Sequence, residues 1–255
     1  MRAVILAGGK GRRLLPYTAV FPKPLVPVGD RPVLAIVIEQ LRRAGFTRVT
    51  LAVGHLAGLI EAYFGDGSRF GIRIDYSIES TPMGTAGPLS LIGDLEDDFL
   101  VMNGDVLTDL DIGTFVAAHR GAGAIATIAV YRKVVDLTLG VLSLDAGSQV
   151  IDYVEKPSMD YMVSTGIYCF KPAALEHLVP GAACDLPDLI RRLIARRQRV
   201  HGYRFEGNWL DIGRPEDYEA ALNLFGGPDA TPRFEGRAPR QLTADLRVAG
   251  TSVSD

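Results

Sequence analysis

Directly after an apolar run, the segment Leu6-Ala7-Gly8-Gly9-Lys10-Gly11-Arg12-Arg13-Leu14 sets three glycines within four positions. Glycine lets a backbone approach a ligand closely and turn its amide N–H groups inward, which makes a cradle for phosphate oxygens. The loop is not a P-loop, since no Gly-Lys-Ser/Thr closes it. Nor is it the dinucleotide fingerprint, because Leu14 stands where the last glycine is needed. A tight strand-to-helix turn is the plain alternative. Further on, Phe21-Pro22-Lys23-Pro24-Leu25-Val26-Pro27-Val28 holds a lysine between two prolines. Prolines stiffen the chain, so Lys23 reads as a positioned cation rather than a free surface amine. Two isolated aspartates follow. Asp105 closes Phe99-Leu100-Val101-Met102-Asn103-Gly104-Asp105, just past a buried strand, and Asp211 lies in Asn208-Trp209-Leu210-Asp211-Ile212-Gly213. Either alone suits a turn or a helix cap. Two carboxylates at strand ends, a glycine loop and a fixed lysine together describe a site for a nucleotide and Mg²⁺.

Those residues need a scaffold, and hydrophobic periodicity supplies it. Residues 3–6, 49–53, 72–76 and 99–102 read as strands. Residues 32–44 read as a helix with Val33, Ile36, Val37, Leu41 and Ala44 on one face, and 56–64 as a second helix. Strands alternating with helices predict a mostly parallel sheet covered on both sides, with ligands at the strand ends. Residues 124–131, 140–144, 150–154 and 166–170 read as strands with short connections, hence antiparallel additions. A helix over 186–197 buries its apolar face. Its Arg191, Arg192, Arg196 and Arg197 form a solvated face, an anion patch being the alternative. A last helix starts at Pro215. The fold class is therefore α/β: a single Rossmann-like domain over residues 1–225, with an extended or mobile tail over 226–255.

The chain has 255 residues, 47% of them apolar and 22% charged, and a formal net charge of −3. A chain of this size buries roughly three quarters of its unfolded surface, so the core needs no staples. The charge balance leaves no global field for nucleic acid or a membrane, and no apolar run reaches the length of a span. Cys169 and Cys184 do not make a disulfide framework, and the first residues turn to Gly8-Gly9 too early for a signal peptide. The expectation is a cytoplasmic protein with reduced thiols. His55, His119, His177 and His201 fall in unrelated contexts and are expected to be structural or solvent-facing.

Leu6 to Leu14, Phe21 to Val28, Asn103-Gly104-Asp105, Glu155-Lys156-Pro157 and Trp209 to Gly213 occur in the order found in the sugar-1-phosphate nucleotidyltransferases, which the chain resembles over residues 1–225. Glu79, Pro82-Met83-Gly84-Thr85-Ala86-Gly87 and Met102 to Asp109 look most like the mannose-1-phosphate guanylyltransferase branch. The resemblance implies an NTP, expected to be GTP, and a sugar-1-phosphate, either mannose-1-phosphate or a related hexose or heptose phosphate, as the partners. It implies Mg²⁺ held by Asp105 and Asp211. Leu6, Ala7, Gly8, Gly9, Gly11, Arg12 and Arg13 would hold the nucleotide with Glu79, Pro82, Gly84, Thr85, Asn103 and Gly104. Arg13 and Lys23 would neutralise phosphate charge. Lys156, beside Glu155, would meet the sugar phosphate, and Gly140 with the Ser164-Thr165-Gly166 turn would line the sugar pocket. Arg12 and Ser164 depart from the usual threonine and asparagine. Other NTPs with glucose-1-phosphate, or a non-catalytic regulatory subunit binding nucleotide-sugars, are the alternatives. A tail of this length implies a monomer or a homodimer built through the main domain.

Overall fold

The computed structural model describes residues 1–9, 11, 18, 20–213 and 215–225. Arg12, Arg13 and the 226–255 tail lie outside the described residues, as do Lys10 and Leu14. The strand β1 (Arg2–Leu6) is followed by a small hairpin of β2 (Pro27–Val28) and β3 (Arg31–Pro32), then α1 (Val33–Arg43), β4 (Arg48–Val53), α2 (Ala57–Phe64) and β5 (Arg73–Ile78). Next come β6 (Phe99–Asn103), β7 (Val106–Thr108), α3 (Ile112–Ala122), β8 (Ala126–Asp136), β9 (Val141–Leu144), β10 (Val150–Val154) and β11 (Ser158–Phe170). The described chain ends with α4 (Leu186–Ala195), β12 (Val200–Arg204), β13 (Trp209–Asp211) and α5 (Pro215–Phe225).

Seven strands form one sheet in the order β12-β8-β11-β6-β1-β4-β5. Alternate side chains of its central strands enter opposite faces, and both faces are dry. Ala3 and Ile5 pack with Leu51, Leu100 and Met102 under Val37, Leu41, Ile60, Phe64 and Phe115 of α1, α2 and α3. Val4, Val101 and Phe170 pack on the other side under Leu89, Ala174, Leu186, Leu189 and Leu193. This is why β1 reads as an unbroken apolar run: a strand covered on both faces has no polar side to show. No helix among the described residues is long and apolar enough to cross a membrane.

The second half carries the expected antiparallel additions. Only β11 is reversed in the main sheet: it pairs antiparallel with β6 and with β8, while β12 runs parallel to β8. The β9–β10 pair is a separate antiparallel hairpin. Helix α3, β7, β12 and β13 were not legible from periodicity. The distal halves of β8 and β11 leave the core as an exposed arm that carries the hairpin, so they lack the one-sided burial that marks a strand's extent. Residues 164–166 are not a free turn but a register break inside β11, between Ser164 and Tyr168. Gly166 sits there at φ +78°.

Candidate active site

Strands β4 and β5 lie to one side of β1, and the chain then crosses to lay β6 on the other. The strand order therefore reverses between β1 and β6, the point where open α/β sheets bind ligands beyond their carboxyl ends. A cleft of about 900 Å³ opens there. Its walls are the segments that follow four parallel strands: Leu6 to Gly9 with Gly11 after β1, Gly54 and His55 after β4, Glu79 to Pro82 after β5, and Asn103 to Asp105 at the end of β6. Lys23, Pro24, Ala52, Gly84, Thr85, Pro88 and Gly213 complete them.

The backbone of this mouth is tightly tied. Ala7 donates its N–H to Ala52 O (2.8 Å), and Gly104 to Leu6 O (2.9 Å), so the ladder continues into the loops. Gly11 adopts φ +59°, and a Cβ there would lie 2.9 Å from Thr18 Cγ2 and 3.1 Å from Lys23 Cβ. Thr18 Oγ1 donates to Gly11 O at 2.7 Å. The glycine loop is thereby folded down onto the segment that bears Lys23.

Lys23 begins a short 3-10 turn, Lys23–Leu25, closed by Leu25 N–H to Pro22 O (2.9 Å) and Val26 N–H to Lys23 O (3.0 Å), with Pro24 buried. The prolines thus hold the lysine as expected. Its ammonium ion-pairs with Asp105 Oδ2 and lies 3.7 Å from Asp211 Oδ1, with only 12% of the side chain exposed. Asp105 reaches this point from the end of β6. Asp211 reaches it because β13 pairs antiparallel with β7, setting Asp211 opposite Val106, and Ile212 donates to Asp105 O at 3.0 Å. Burial raises the pKa of Asp105 above the ordinary carboxylate value. The Lys23 ammonium opposes this rise, and the neighbouring Asp211 carboxylate reinforces it.

Two converging carboxylates offer hard oxygen ligands at one place, already satisfied by a cation in the form of the Lys23 ammonium. Among the described residues no group of three or more His, Cys, Asp or Glu gathers to cage a metal, here or elsewhere. That donor set suits Mg²⁺, which is commonly held by one or two carboxylates together with substrate phosphates.

Glu79 stands on the opposite wall. Its Oε2 accepts the Met83 N–H at 3.1 Å. A Cβ on either Gly8 or Gly54 would come within 2.7 Å of its Oε1, so both glycines leave room for this carboxylate. The following loop is pinned to the start of α4. Gly84 has φ +74°, and a Cβ there would meet Cys184 O at 2.6 Å. Thr85 N–H donates to Asp185 Oδ1 (3.0 Å), while Thr85 Oγ1 accepts the Leu186 N–H (2.8 Å). Asp185 is the helix N-cap by position, yet its side chain serves the cleft loop and Thr85 caps the helix from outside. Nothing in the sequence marked Asp185. His55, expected to be structural or solvent-facing, is half-buried and lines the cleft.

The sugar-side candidates are not on the cleft wall. Gly140, Glu155 and Lys156 lie together on the exposed arm. A Cβ at Gly140 would be 3.1 Å from Glu155 Oε2, and Lys156 Nζ is 3.8 Å from Glu155 Oε1. Lys156 is in the left-handed region at φ 45°, costly for a side-chain-bearing residue. Ser164, Thr165 and Gly166 lie at the arm's root. Ser164 Oγ is 2.9 Å from the Tyr168 hydroxyl, and a Cβ on Gly166 would lie 2.5 Å from Asn103 Nδ2. The root therefore abuts the cleft through Asn103.

The model of the family described as Nucleotidyl transferase matches residues 2–225. A UTP–glucose-1-phosphate uridylyltransferase of Synechocystis is 37% identical over 87% of this chain and 62% of its own length. A mannose-1-phosphate guanylyltransferase of Mycobacterium tuberculosis is 32% identical over 98% of this chain and 74% of its own. Among solved structures, HddC from Yersinia pseudotuberculosis complexed with GMP-PN is 26% identical, with a TM-score of 0.68 over 88% of this chain and 99% of that one. The chain spans less than two thirds of the length of the Synechocystis relative.

Proposed function

Because the chain belongs to the nucleotidyl transferase family, we propose that it transfers a nucleoside monophosphate from an NTP to a sugar-1-phosphate, releasing pyrophosphate. The observation that carries this reading is the Lys23 ammonium between Asp105 and Asp211, beneath a glycine loop at the switch point of the sheet. A sugar phosphate is mostly dianionic at neutral pH, since its second pKa is about 6. It needs no general base. The obstacle is to bring two polyanions into line, and fixed positive charge meets it.

In this reading Gly8, Gly9 and Gly11 present their amides to the triphosphate, and Lys23 sets its charge against the α-phosphate. Bound Mg²⁺, held by Asp105 and Asp211, would stabilise the charge that develops as pyrophosphate leaves. Arg13 is the second cation assigned to the triphosphate. Lys156 on the arm is assigned to the sugar phosphate, with Gly140, Glu155 and the 164–166 segment on the sugar's side.

GTP is the nucleotide we favour, with mannose-1-phosphate or a related sugar phosphate as acceptor. Glu79 lines the cleft, with Oε2 committed to Met83 and Oε1 lying beside Gly8 and Gly54. A carboxylate matches the adjacent N1–H and N2–H₂ donors of guanine, but would face the carbonyl oxygens of uracil or thymine. HddC, solved with GMP-PN, supports the same choice. UTP with glucose-1-phosphate is the second reading, favoured by the 37% identity to the uridylyltransferase.

Pyrophosphate release, measured with Mg²⁺ across four NTPs and dTTP against mannose-, glucose- and heptose-1-phosphate, tests the proposal. Turnover in the GTP row is expected. Turnover with another base would keep the reaction and discard the role of Glu79. No turnover anywhere, with nucleotide-sugar binding intact, would make the chain a binding subunit.

A further inference from the structure

Resting on the reading of Asp105 and Asp211 as the cation-binding pair, we infer that Asp109 is a positioning residue for Asp211. It acts through Asn208, and the indole of Trp209 ties the same strand to the sugar-side segment. Strand β13 has three residues and pairs only with the equally short β7. A two-stranded ribbon is marginal by itself. The position of Asp211 must therefore be set by whatever holds the two ends of that ribbon.

One end is held by Asp109, at the close of β7. Its carboxylate accepts the Asn208 backbone N–H at 2.8 Å and the Asn208 Nδ2 amide at 3.1 Å. Asp109 N–H returns a bond to Asn208 O (3.2 Å), which also accepts the Thr108 hydroxyl (2.9 Å). Gly207 passes so close that any Cβ would run into the Asp109 carboxylate. No basic side chain among the described residues is paired with Asp109, so its acceptor capacity is directed at the segment leading into Asp211. Asn208 is three residues from Asp211, within one extended stretch, and an error in its placement passes directly along the strand.

The Asp211 end is held by Ile212 N–H to Asp105 O (3.0 Å), and a second tie beside Asn208 leads to the sugar side. Trp209 Nε1 donates to Thr165 O at 2.9 Å, and the buried Thr165 hydroxyl donates to Ala129 O at 2.8 Å. Gly166, next in the chain, abuts Asn103 at the edge of the cleft. The strand bearing Asp211 is thus braced between β7 and the root of the arm. A shift of residues 164–166 on sugar-phosphate binding would be felt at the carboxylate.

Trp209 is the sole tryptophan of the 255-residue chain, so its indole N–H resonance reports on the brace alone. The experiment uses the full chain and Mn²⁺ alone as the probe, with binding read by loss of the free-ion EPR signal. Asn208→Asp sets two carboxylates face to face. It is expected to weaken Mn²⁺ binding at least tenfold and to move the indole resonance, although an added negative charge by itself would tighten cation binding. The double variant Asp109→Asn/Asn208→Asp restores one donor and one acceptor, and should return to within threefold of wild type. Asp109→Asn alone should also stay within threefold, because the Asn208 amide can turn to accept. Asn208→Ala, which removes a donor without adding charge, should give an intermediate loss and serves if Asn208→Asp fails to fold. A brace that is merely structural would lower the melting temperature and leave Mn²⁺ affinity unchanged. Wild-type affinity in both Asn208 variants, with a tenfold loss in Asp211→Asn, would overturn the inference. Unchanged affinity in Asp211→Asn would instead overturn the cation pair on which it rests.

Discussion

Replacing Asp105 by asparagine separates the chemistry of the site from its contribution to stability. Removing one partner of a buried ion pair usually costs about 3–5 kcal/mol, because the other charge is left uncompensated. Here Lys23 would keep Asp211, 3.7 Å away. Burial raises the pKa of Asp105 in the fold, so the native state binds the carboxyl proton more tightly than the unfolded chain does. Ionised Asp105 therefore detracts from stability above its folded pKa, and relief comes as pH falls through that value. Asparagine imitates the protonated form and removes this penalty. The net change in stability should lie within about 1 kcal/mol of wild type, or about 2–4 °C in melting temperature for a domain of this size. Turnover, by contrast, would lose one of the two carboxylates proposed to hold Mg²⁺ and the ion-pair partner of Lys23. A fall of at least about 10³-fold is expected, about 4 kcal/mol of transition-state stabilisation. Pyrophosphate release at saturating Mg²⁺ and differential scanning fluorimetry give the two readings on one preparation. Turnover within tenfold of wild type, or a melting temperature lower by more than about 10 °C, would refute the reasoning.

Glu79→Gln keeps an oxygen for the Met83 N–H but adds a donor for a pyrimidine carbonyl. The ratio of kcat/KM for GTP over UTP should fall by about 1–3 kcal/mol, roughly fivefold to 150-fold, in competition assays, and an unchanged ratio would discard Glu79 as the base reader. Gly84→Ala forces a side chain into φ +74° against Cys184 O. A loss of about 1–3 kcal/mol in urea unfolding, with a raised KM for the NTP, is the expected result. His119 is fully buried, with Nδ1 2.7 Å from Thr127 Oγ1 and Nε2 3.9 Å from Asp98 Oδ2, and burial lowers its pKa. The unfolded chain then binds the proton first, so stability present above about pH 6.5 is lost as pH falls, by at most about 1.4 kcal/mol per pH unit. Urea midpoints between pH 8 and pH 5.5 should show this slope in the wild type and a shallower one in His119→Gln.

Much of the scaffold was legible in the residues themselves. The unbroken apolar run of β1, the one-sided face of α1 and the three-glycine loop each follow from rules that act over a few residues: burial on two faces, a period of 3.6, and backbone that must turn without a Cβ. Lys23 was legible for the same reason, since its flanking prolines restrict it locally. Helix α3 escaped notice because Gly113 and Gly121 dilute its pattern. The long arm of β8 and β11 escaped because its distal residues, Arg132 and Asp160 among them, are exposed, so no hydrophobic alternation marks where a strand ends.

The site required the tertiary structure. Asp105 and Asp211 were each recognisable as polar residues at strand ends, but the β7–β13 ladder brings them to one ammonium. The entry of His55 into the cleft depends on β4 lying beside β1. The hold of Asp185 on Thr85 depends on α4 packing beneath the loop after β5. None of these pairings leaves a mark on local composition. Short-range order is written by spacing within a turn or a strand, so it can be read from the chain. Convergence of distant carboxylates on one cation is decided by which strands pair after the chain has reversed, and that choice belongs to the packed core as a whole.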